Sequence, residues 1–123
     1  TSLPRGENLK QLKMDRQDLA DRILSLLKAD AAAAHTIVHG DTHLGNQFFD
    51  PAKGPGFLDW QTVMHGFWAH DVAYFITTSL AIDDRRAVER DLLRHYVEAL
   101  AISGAKLAFD DAWDAIVVML FTV

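Results

Sequence analysis

The period of the hydrophobic pattern changes twice along this chain, and that change limits the fold more than any other feature. Up to residue 34 the leucines recur at the spacing of a helix face, and a helical spacing returns after residue 69. Between these stretches the apolar runs are short and are broken by glycine and proline. Because helices and strands have different side-chain periods, the sequence predicts a mostly helical α+β fold with a small β-hairpin in its middle.

The first helical pattern is amphipathic and is expected to extend from about Met14 to the alanine run at 31–34. Residues 1–8 contain proline and glycine and are expected to form a loop before it. The last ten residues read as a helix without a glycine stop or a polar tail. We therefore expect both ends of the chain to be truncated.

Three helices are predicted in the second half. One covers residues 69–80, and the next, with an apolar face around Leu92 and Tyr96, ends at Gly104. Aspartates are common helix N-caps because a carboxylate accepts the unpaired N–H groups of the first turn. The expected start residues are Asp83 or Asp84 for the long helix and Asp110 or Asp111 for the last.

The middle of the chain contains three β-prone runs. Residues 36–38 form the first, and residues 47–50 and 56–60 flank a segment dense in turn-forming residues at 51–55. The second and third runs are therefore predicted to pair as a hairpin. Three aromatic residues that follow are expected in the core: Trp60, Phe67 and Trp68.

Composition excludes several classes of protein. The 123 residues have a formal net charge of -5 and no basic run, which argues against nucleic acid or an anionic membrane as a partner. The absence of cysteine removes disulfides, thiolate metal sites and a cysteine nucleophile. The longest apolar run, 115–121, is far below the ~20 residues of a membrane span. We expect one soluble, cytoplasmic domain over residues 1–123.

The polar residues capable of chemistry are concentrated in the central loops. Four residues separate Asp41 from Asn46, and twelve separate Asn46 from Asp59. If the hairpin forms, Asn46 and Asp59 converge on one point, where a carboxamide and a carboxylate oxygen suit Mg²⁺. The wider set between residues 38 and 71 comprises His39, Asp41, His43, Asn46, Asp59, Gln61, His65, His70 and Asp71.

This spacing matches the division of labour in protein kinases, in which one Asp orients the acceptor hydroxyl and a later Asn and Asp hold magnesium. By that comparison Asp41 takes the hydroxyl proton late in the reaction. An ordinary carboxylate is adequate for the task because a loose phosphoryl transition state demands little base strength.

Three runs carry a resemblance to a known family: His39-Gly40-Asp41-Thr42-His43-Leu44-Gly45-Asn46, Phe57-Leu58-Asp59-Trp60-Gln61 and His70-Asp71-Val72-Ala73-Tyr74-Phe75. Together they resemble the C-terminal lobe of the aminoglycoside phosphotransferase and choline kinase-like superfamily, which has a protein-kinase-like fold. The resemblance covers residues 35–80. It implies that Asp41 is the catalytic aspartate, that Asn46 and Asp59 are the magnesium ligands, and that His39 and Asp71 support the catalytic loop.

The resemblance further implies Mg²⁺ and ATP, or another nucleoside triphosphate, as cofactors and a small molecule with a hydroxyl group as the acceptor. Trp60 stands where protein kinases have Phe, and Leu44 stands where many relatives carry proline. Nothing before His35 offers a glycine-rich loop or a strand-borne lysine. The chain therefore corresponds to a C-terminal lobe whose N-terminal lobe is missing, and alone it is expected to turn over little nucleotide.

Alternatives remain open at this point. His43 is equally suited to contacting phosphate or to orienting Asp41, and Asp71 also reads as a helix N-cap. His39, Asp41 and His43 alternate, so they are candidates for a zinc site in a metal-dependent hydrolase. A third interpretation is a non-catalytic kinase-like binding module.

Overall fold

A computed structural model describes residues 16–32 and 35–120 of the chain. The predicted loop at 1–8 and the last three residues lie outside the described residues. The chain divides into two compact units, Thr1–Ala32 and Ala33–Val123. The first contains helix α1, Arg16–Ala32, which confirms the helix predicted there.

The second unit is a small α+β arrangement dominated by helices, with two short antiparallel sheets, and the predicted fold class is confirmed at that level. Single 3₁₀ turns at Leu44–Asn46 and Trp60–Thr62 interrupt the loops. None of the described helices is long and apolar enough to span a membrane. The remaining elements are β1 (His35–Val38), β2 (Gln47–Asp50), β3 (Gly54–Phe57), β4 (Met64–Phe67), α2 (Trp68–Ser79), α3 (Ile82–Ile102) and α4 (Phe109–Leu120).

The predicted hairpin is confirmed by the pairing of β2 with β3, in which Gln47 lies opposite Phe57. Asp50 shapes the turn, because its Oδ1 accepts the backbone N–H groups of Ala52 at 2.7 Å and Lys53 at 3.1 Å. The second strand ends at Phe57, so its predicted extent to Trp60 is wrong. The next backbone N–H, that of residue 58, is not part of the strand pairing and donates instead to the backbone carbonyl of residue 46 at 2.7 Å.

Strand β4 was not predicted. It pairs with β1, with Val38 opposite Met64 and His35 opposite Phe67. The sequence of β4, MHGF, contains a glycine and no β-branched residue, so local propensity gives little signal for a strand. Tertiary pairing with the more β-prone β1 determines its conformation.

The core of the second unit lies among the helices. Ala69, Ala73 and Ala112 are completely buried, and their small side chains allow α2 and α4 to approach closely around Ile76 and Ile116. Trp68 packs against this core and stacks on Tyr96 with ring centroids 5.3 Å apart. Phe67 also packs there, as expected. Trp60 does not, since it is 51% exposed, and its assignment to the core is wrong.

The aspartates expected to cap the last two helices occupy their first turns instead. The N-cap of α3 is Ala81, while Asp83 and Asp84 follow inside the helix, and α4 starts at Phe109 before its two aspartates. Acidic residues in a first turn still complement the positive end of the helix dipole. Gly104, with φ +94°, follows the end of α3, which confirms that stop signal.

Candidate active site

Asp71 holds the segment that follows β1. It is the fourth residue of α2 rather than its N-cap, which is Phe67. Its two carboxylate oxygens accept the backbone N–H groups of His39 at 2.6 Å and Gly40 at 2.9 Å. Thr42 adds a hydrogen bond from its hydroxyl to the backbone carbonyl of Asp71 at 2.8 Å. Helix α2 therefore fixes the start of the predicted catalytic loop.

The environment of Asp71 favours its ionised form. Burial raises the pKa of the Asp71 carboxyl, but the nearby His70 imidazole, 3.8 Å away, and the hydrogen bonds from the backbone of Gly40 and His39 outweigh burial, and the pKa is lowered from 3.8. Asp71 is thus a charged anchor rather than a proton donor.

Gly40 is required by the conformation of this loop. Its φ of +87° lies in the left-handed region, and a Cβ there would lie 2.8 Å from the carbonyl oxygen of Thr62. The hydroxyl of Thr62 also donates to the carbonyl of His39 at 2.8 Å. The loop therefore passes directly against the backbone that follows the hairpin.

His39 links the loop to the segment that carries Asp59. Its Nδ1 accepts the N–H of Asp41 at 3.2 Å, so the proton lies on Nε2, which donates to the carbonyl of Leu58 at 2.7 Å. His39 is 3% exposed, and its ring centroid lies 4.6 Å from that of Trp60. Both ring nitrogens are committed to the polypeptide, which leaves His39 no lone pair for a metal.

The carboxylate of Asp41 is held from both sides. Its Oδ1 accepts the phenol O–H of Tyr74 at 3.0 Å, and its Oδ2 accepts the amide N–H of Asn46 at 3.1 Å. His43 Nδ1 accepts the N–H of Gly45 at 3.0 Å, so its Nε2 carries the proton and lies 3.5 Å from Asp41 Oδ2. Of the two roles left open for His43, this contact favours the orientation of Asp41.

Asn46 and Asp59 are brought to neighbouring positions by the backbone. Asn46 is 8% exposed, and its Nδ2 donates to both the carbonyl and the carboxylate of Asp41. The backbone carbonyl of Asn46 accepts the N–H of Leu58 at 2.7 Å. The residue before Asp59 therefore lies against Asn46. Asp59 itself is exposed and has φ +59°. Among the described residues, only Asp59 shows a positive φ without being glycine, which is typical of strained functional positions.

The donor chemistry here fits magnesium. The amide nitrogen of Asn46 is engaged, so oxygen is its remaining polar atom, and Asp59 supplies an exposed carboxylate. Mg²⁺ prefers oxygen ligands and is commonly bound by one or two protein groups together with water and phosphate. The zinc alternative has less support, because the described residues contain no group of three or more His, Cys, Asp or Glu arranged for a metal.

Sequence reasoning did not identify a role for Tyr74. The hydrogen bond to Asp41, with smaller contributions from burial and from the charge of that carboxylate, raises the pKa of Tyr74 above 10.0. The role of the Leu58 backbone, which contacts both His39 and Asn46, was also missed. Backbone hydrogen bonds do not depend on residue type, so the sequence does not reveal them. For Tyr74 a signal existed: it follows Asp71 by three residues, so both lie on one face of α2.

Comparison with protein families adds an independent finding. The family model described as the phosphotransferase enzyme family matches residues 3–109, most of the chain. The chain therefore belongs to the phosphotransferase enzyme family, which confirms the resemblance to aminoglycoside phosphotransferases and choline kinase-like proteins. Comparisons with curated proteins and with solved structures gave no match.

Proposed function

We propose that this chain is the C-terminal lobe of an ATP- and Mg²⁺-dependent phosphotransferase that transfers the γ-phosphoryl group to a hydroxyl of a small molecule. Membership of the phosphotransferase enzyme family supports the reaction class. The observation that carries the assignment to this site is the fixed carboxylate of Asp41, with its two oxygens held by Tyr74 and Asn46.

Asp41 is the catalytic residue of the proposed reaction. Its carboxylate accepts a hydrogen bond from the acceptor hydroxyl, aligns that oxygen with the phosphoryl group and takes its proton as the bond to phosphorus forms. Asn46 and Asp59 would hold magnesium, which supplies positive charge to the phosphate oxygens. Because positioning contributes much of the rate in such reactions, a carboxylate with prearranged partners suits this role.

His39 and Asp71 act on the loop rather than on the substrate. Asp71 fixes the backbone at residues 39 and 40, and His39 ties the loop to Leu58, the neighbour of Asp59. His43 contacts Asp41 and is assigned to its orientation. Through the His39–Leu58 hydrogen bond, the loop that would activate the hydroxyl is linked to the part of the site that would hold the metal.

The nucleotide-binding lobe, the acceptor and the location in the cell belong to the same proposal. ATP would bind between this lobe and an N-terminal lobe that supplies contacts to the phosphates, so residues 1–123 alone are expected to bind nucleotide weakly. The acidic character of the chain, with a formal charge of -5, is compatible with a cationic acceptor such as an aminoglycoside or choline. We place the protein in the cytoplasm, where ATP is available.

The test is turnover of MgATP by the protein carrying its nucleotide-binding lobe, with kanamycin, choline and other hydroxylated metabolites as acceptors. Asp41→Asn should lower kcat by about 10²–10⁴-fold, the usual contribution of a positioned general base. Asp59→Asn should instead raise the Mg²⁺ concentration needed for half-maximal rate, so that added Mg²⁺ partly restores activity.

Asp50→Asn is the matched control, because Asp50 lies in the hairpin turn, where its carboxylate accepts the backbone N–H groups of Ala52 and Lys53. It should leave both kcat and the Mg²⁺ requirement unchanged. Full activity of Asp41→Asn would remove the proposed function from this site.

A further inference from the structure

Helix α2 presents two side chains to the catalytic loop. Asp71 and Tyr74 are three residues apart and share a helix face, and the first holds the loop backbone while the second reaches the carboxylate of Asp41 at 3.0 Å. The polypeptide that fixes the position of the loop therefore also fixes the orientation of its reactive group.

The two oxygens of Asp41 differ in how much of their hydrogen-bonding capacity is used. Oδ2 faces two donors, Asn46 Nδ2 at 3.1 Å and His43 Nε2 at 3.5 Å. Oδ1 accepts the hydroxyl of Tyr74. Each carboxylate oxygen can accept about two hydrogen bonds, so among the described residues the hydroxyl of Tyr74 leaves Oδ1 room for one further donor, while the longer His43 contact lies beside Oδ2.

We infer that Tyr74 is a positioning residue that holds Asp41 so that the free lone pair of Oδ1 faces the acceptor hydroxyl. This inference rests on the proposed function. The acceptor O–H donates to Oδ1, and its proton passes to that oxygen as the acceptor oxygen bonds to phosphorus and the terminal phosphoryl group leaves ADP. Tyr74 keeps its own proton throughout and supplies orientation, not acid or base.

The surroundings of Tyr74 suit a fixed donor. Its ring lies parallel to that of His70, with an interplanar angle of 5° and centroids 6.1 Å apart. Its hydroxyl favours the protonated form next to the Asp41 carboxylate, since the pKa of Tyr74 is raised chiefly by that bond. The phenol therefore remains a donor at neutral pH.

The first experiment is a tyrosine titration that needs no catalytic activity. The chain contains two tyrosines, and Tyr96 also has a raised pKa, but its causes are burial and the charge of Asp71. With ¹³C-labelled tyrosine followed by NMR, Asp41→Asn should lower the pKa of Tyr74 and leave that of Tyr96 in place. An unchanged pKa of Tyr74 in Asp41→Asn would overturn the inference, and this result does not depend on any Tyr74 variant folding.

The second experiment uses kinetics to separate a positioning role from an effect on folding. The substrates are MgATP and either kanamycin or choline, whichever gives the higher rate. Tyr74→Phe removes one oxygen and should lower kcat about 10-fold, the effect of losing one hydrogen bond to a charged group, with KM for ATP unchanged. Tyr96→Phe is the control and should retain the wild-type kcat.

The outcomes distinguish the inference from the function on which it rests. Wild-type kcat in Tyr74→Phe, together with loss of activity in Asp41→Asn, would overturn the role of Tyr74 and leave the phosphotransferase proposal intact. A wild-type protein that phosphorylates no acceptor, but in which Asp41→Asn still shifts the titration of Tyr74, would remove the proposed function and keep only the orientation of the carboxylate.

Discussion

The two acidic ends of the candidate site are built differently. Asp41 lies in a loop with a buried histidine and a buried asparagine, and its carboxylate receives hydrogen bonds from that asparagine and from Tyr74 of helix α2. Asp59 is exposed, and its side-chain contact is a 3.4 Å hydrogen bond from Gln61. Its backbone is held through Leu58, but its carboxylate faces solvent.

Under the proposed function, this difference indicates which part of the chemistry the polypeptide prearranges. A base that aligns a hydroxyl works best when its orientation is fixed before the substrate binds. A metal-binding carboxylate can remain solvated until magnesium and phosphate arrive, since Mg²⁺ retains several of its own ligands. The Asp41 end should therefore respond to changes in its supporting contacts, whereas the Asp59 end should respond to the concentration of metal.

The largest effect on the Asp41 end is expected from Asp71→Asn. An amide can accept only one of the two backbone N–H groups and directs its own N–H at the other, so the free energy of unfolding should fall by about 3 kcal/mol at neutral pH. The pKa of Asp71 is lowered on folding. Its contribution to the free energy of unfolding is therefore complete at pH values above its pKa in the unfolded chain, and it is lost as the pH falls through its pKa in the folded protein.

Denaturant unfolding of the wild type and Asp71→Asn between pH 2 and pH 7 checks this prediction. The stability difference should be largest near neutral pH and should shrink as acid protonates Asp71 in the wild type. A difference that stays constant down to the lowest pH would mean that the charge of Asp71 does not hold the loop.

A smaller effect is expected from Gly40→Ala, which has a matched control in Gly54→Ala. Both glycines have nearly the same φ, +87° and +88°, but a Cβ at Gly40 meets the Thr62 carbonyl at 2.8 Å, whereas nothing lies within 4 Å at Gly54. Thermal unfolding should show a loss of at least about 2 kcal/mol for Gly40→Ala and about 1 kcal/mol for Gly54→Ala. Equal losses would indicate that the loop and the segment after the hairpin are not in close contact.

The smallest effect is expected from His43→Asn. The shorter side chain can still accept the N–H of Gly45 but cannot reach Asp41, whose contact with His43 is partly solvent-exposed. Loss of such a contact corresponds to about 1 kcal/mol or less, so kcat should fall about fivefold at most. A loss of kcat as large as that of Asp41→Asn would contradict a role in orientation alone. It would instead indicate that His43 contacts the phosphate directly.

The sequence predicted those parts of the molecule that depend on residue type. Residue types with strong local preferences mark the turn before Gly54 and the end of the helix at Gly104. The spacing of Asp41, Asn46 and Asp59 is likewise visible in the sequence. Strand β4 could not be predicted because its pairing partner is distant in sequence and its own residues carry little β propensity. The bonds of Leu58 are backbone bonds, and the exposure of Trp60 depends on how the loop packs, so neither leaves a pattern in the sequence.

The most direct test of the account is a crystal structure of the chain together with its proposed nucleotide-binding lobe, an ATP analogue and Mn²⁺ in place of Mg²⁺, located by its anomalous signal. The account predicts one ion within about 2.5 Å of both Asn46 Oδ1 and the carboxylate of Asp59. It also predicts that Asp41 lies beside the terminal phosphate, still hydrogen-bonded to Tyr74. An ion bound elsewhere, or an Asp41 carboxylate turned away from the phosphate, would contradict it.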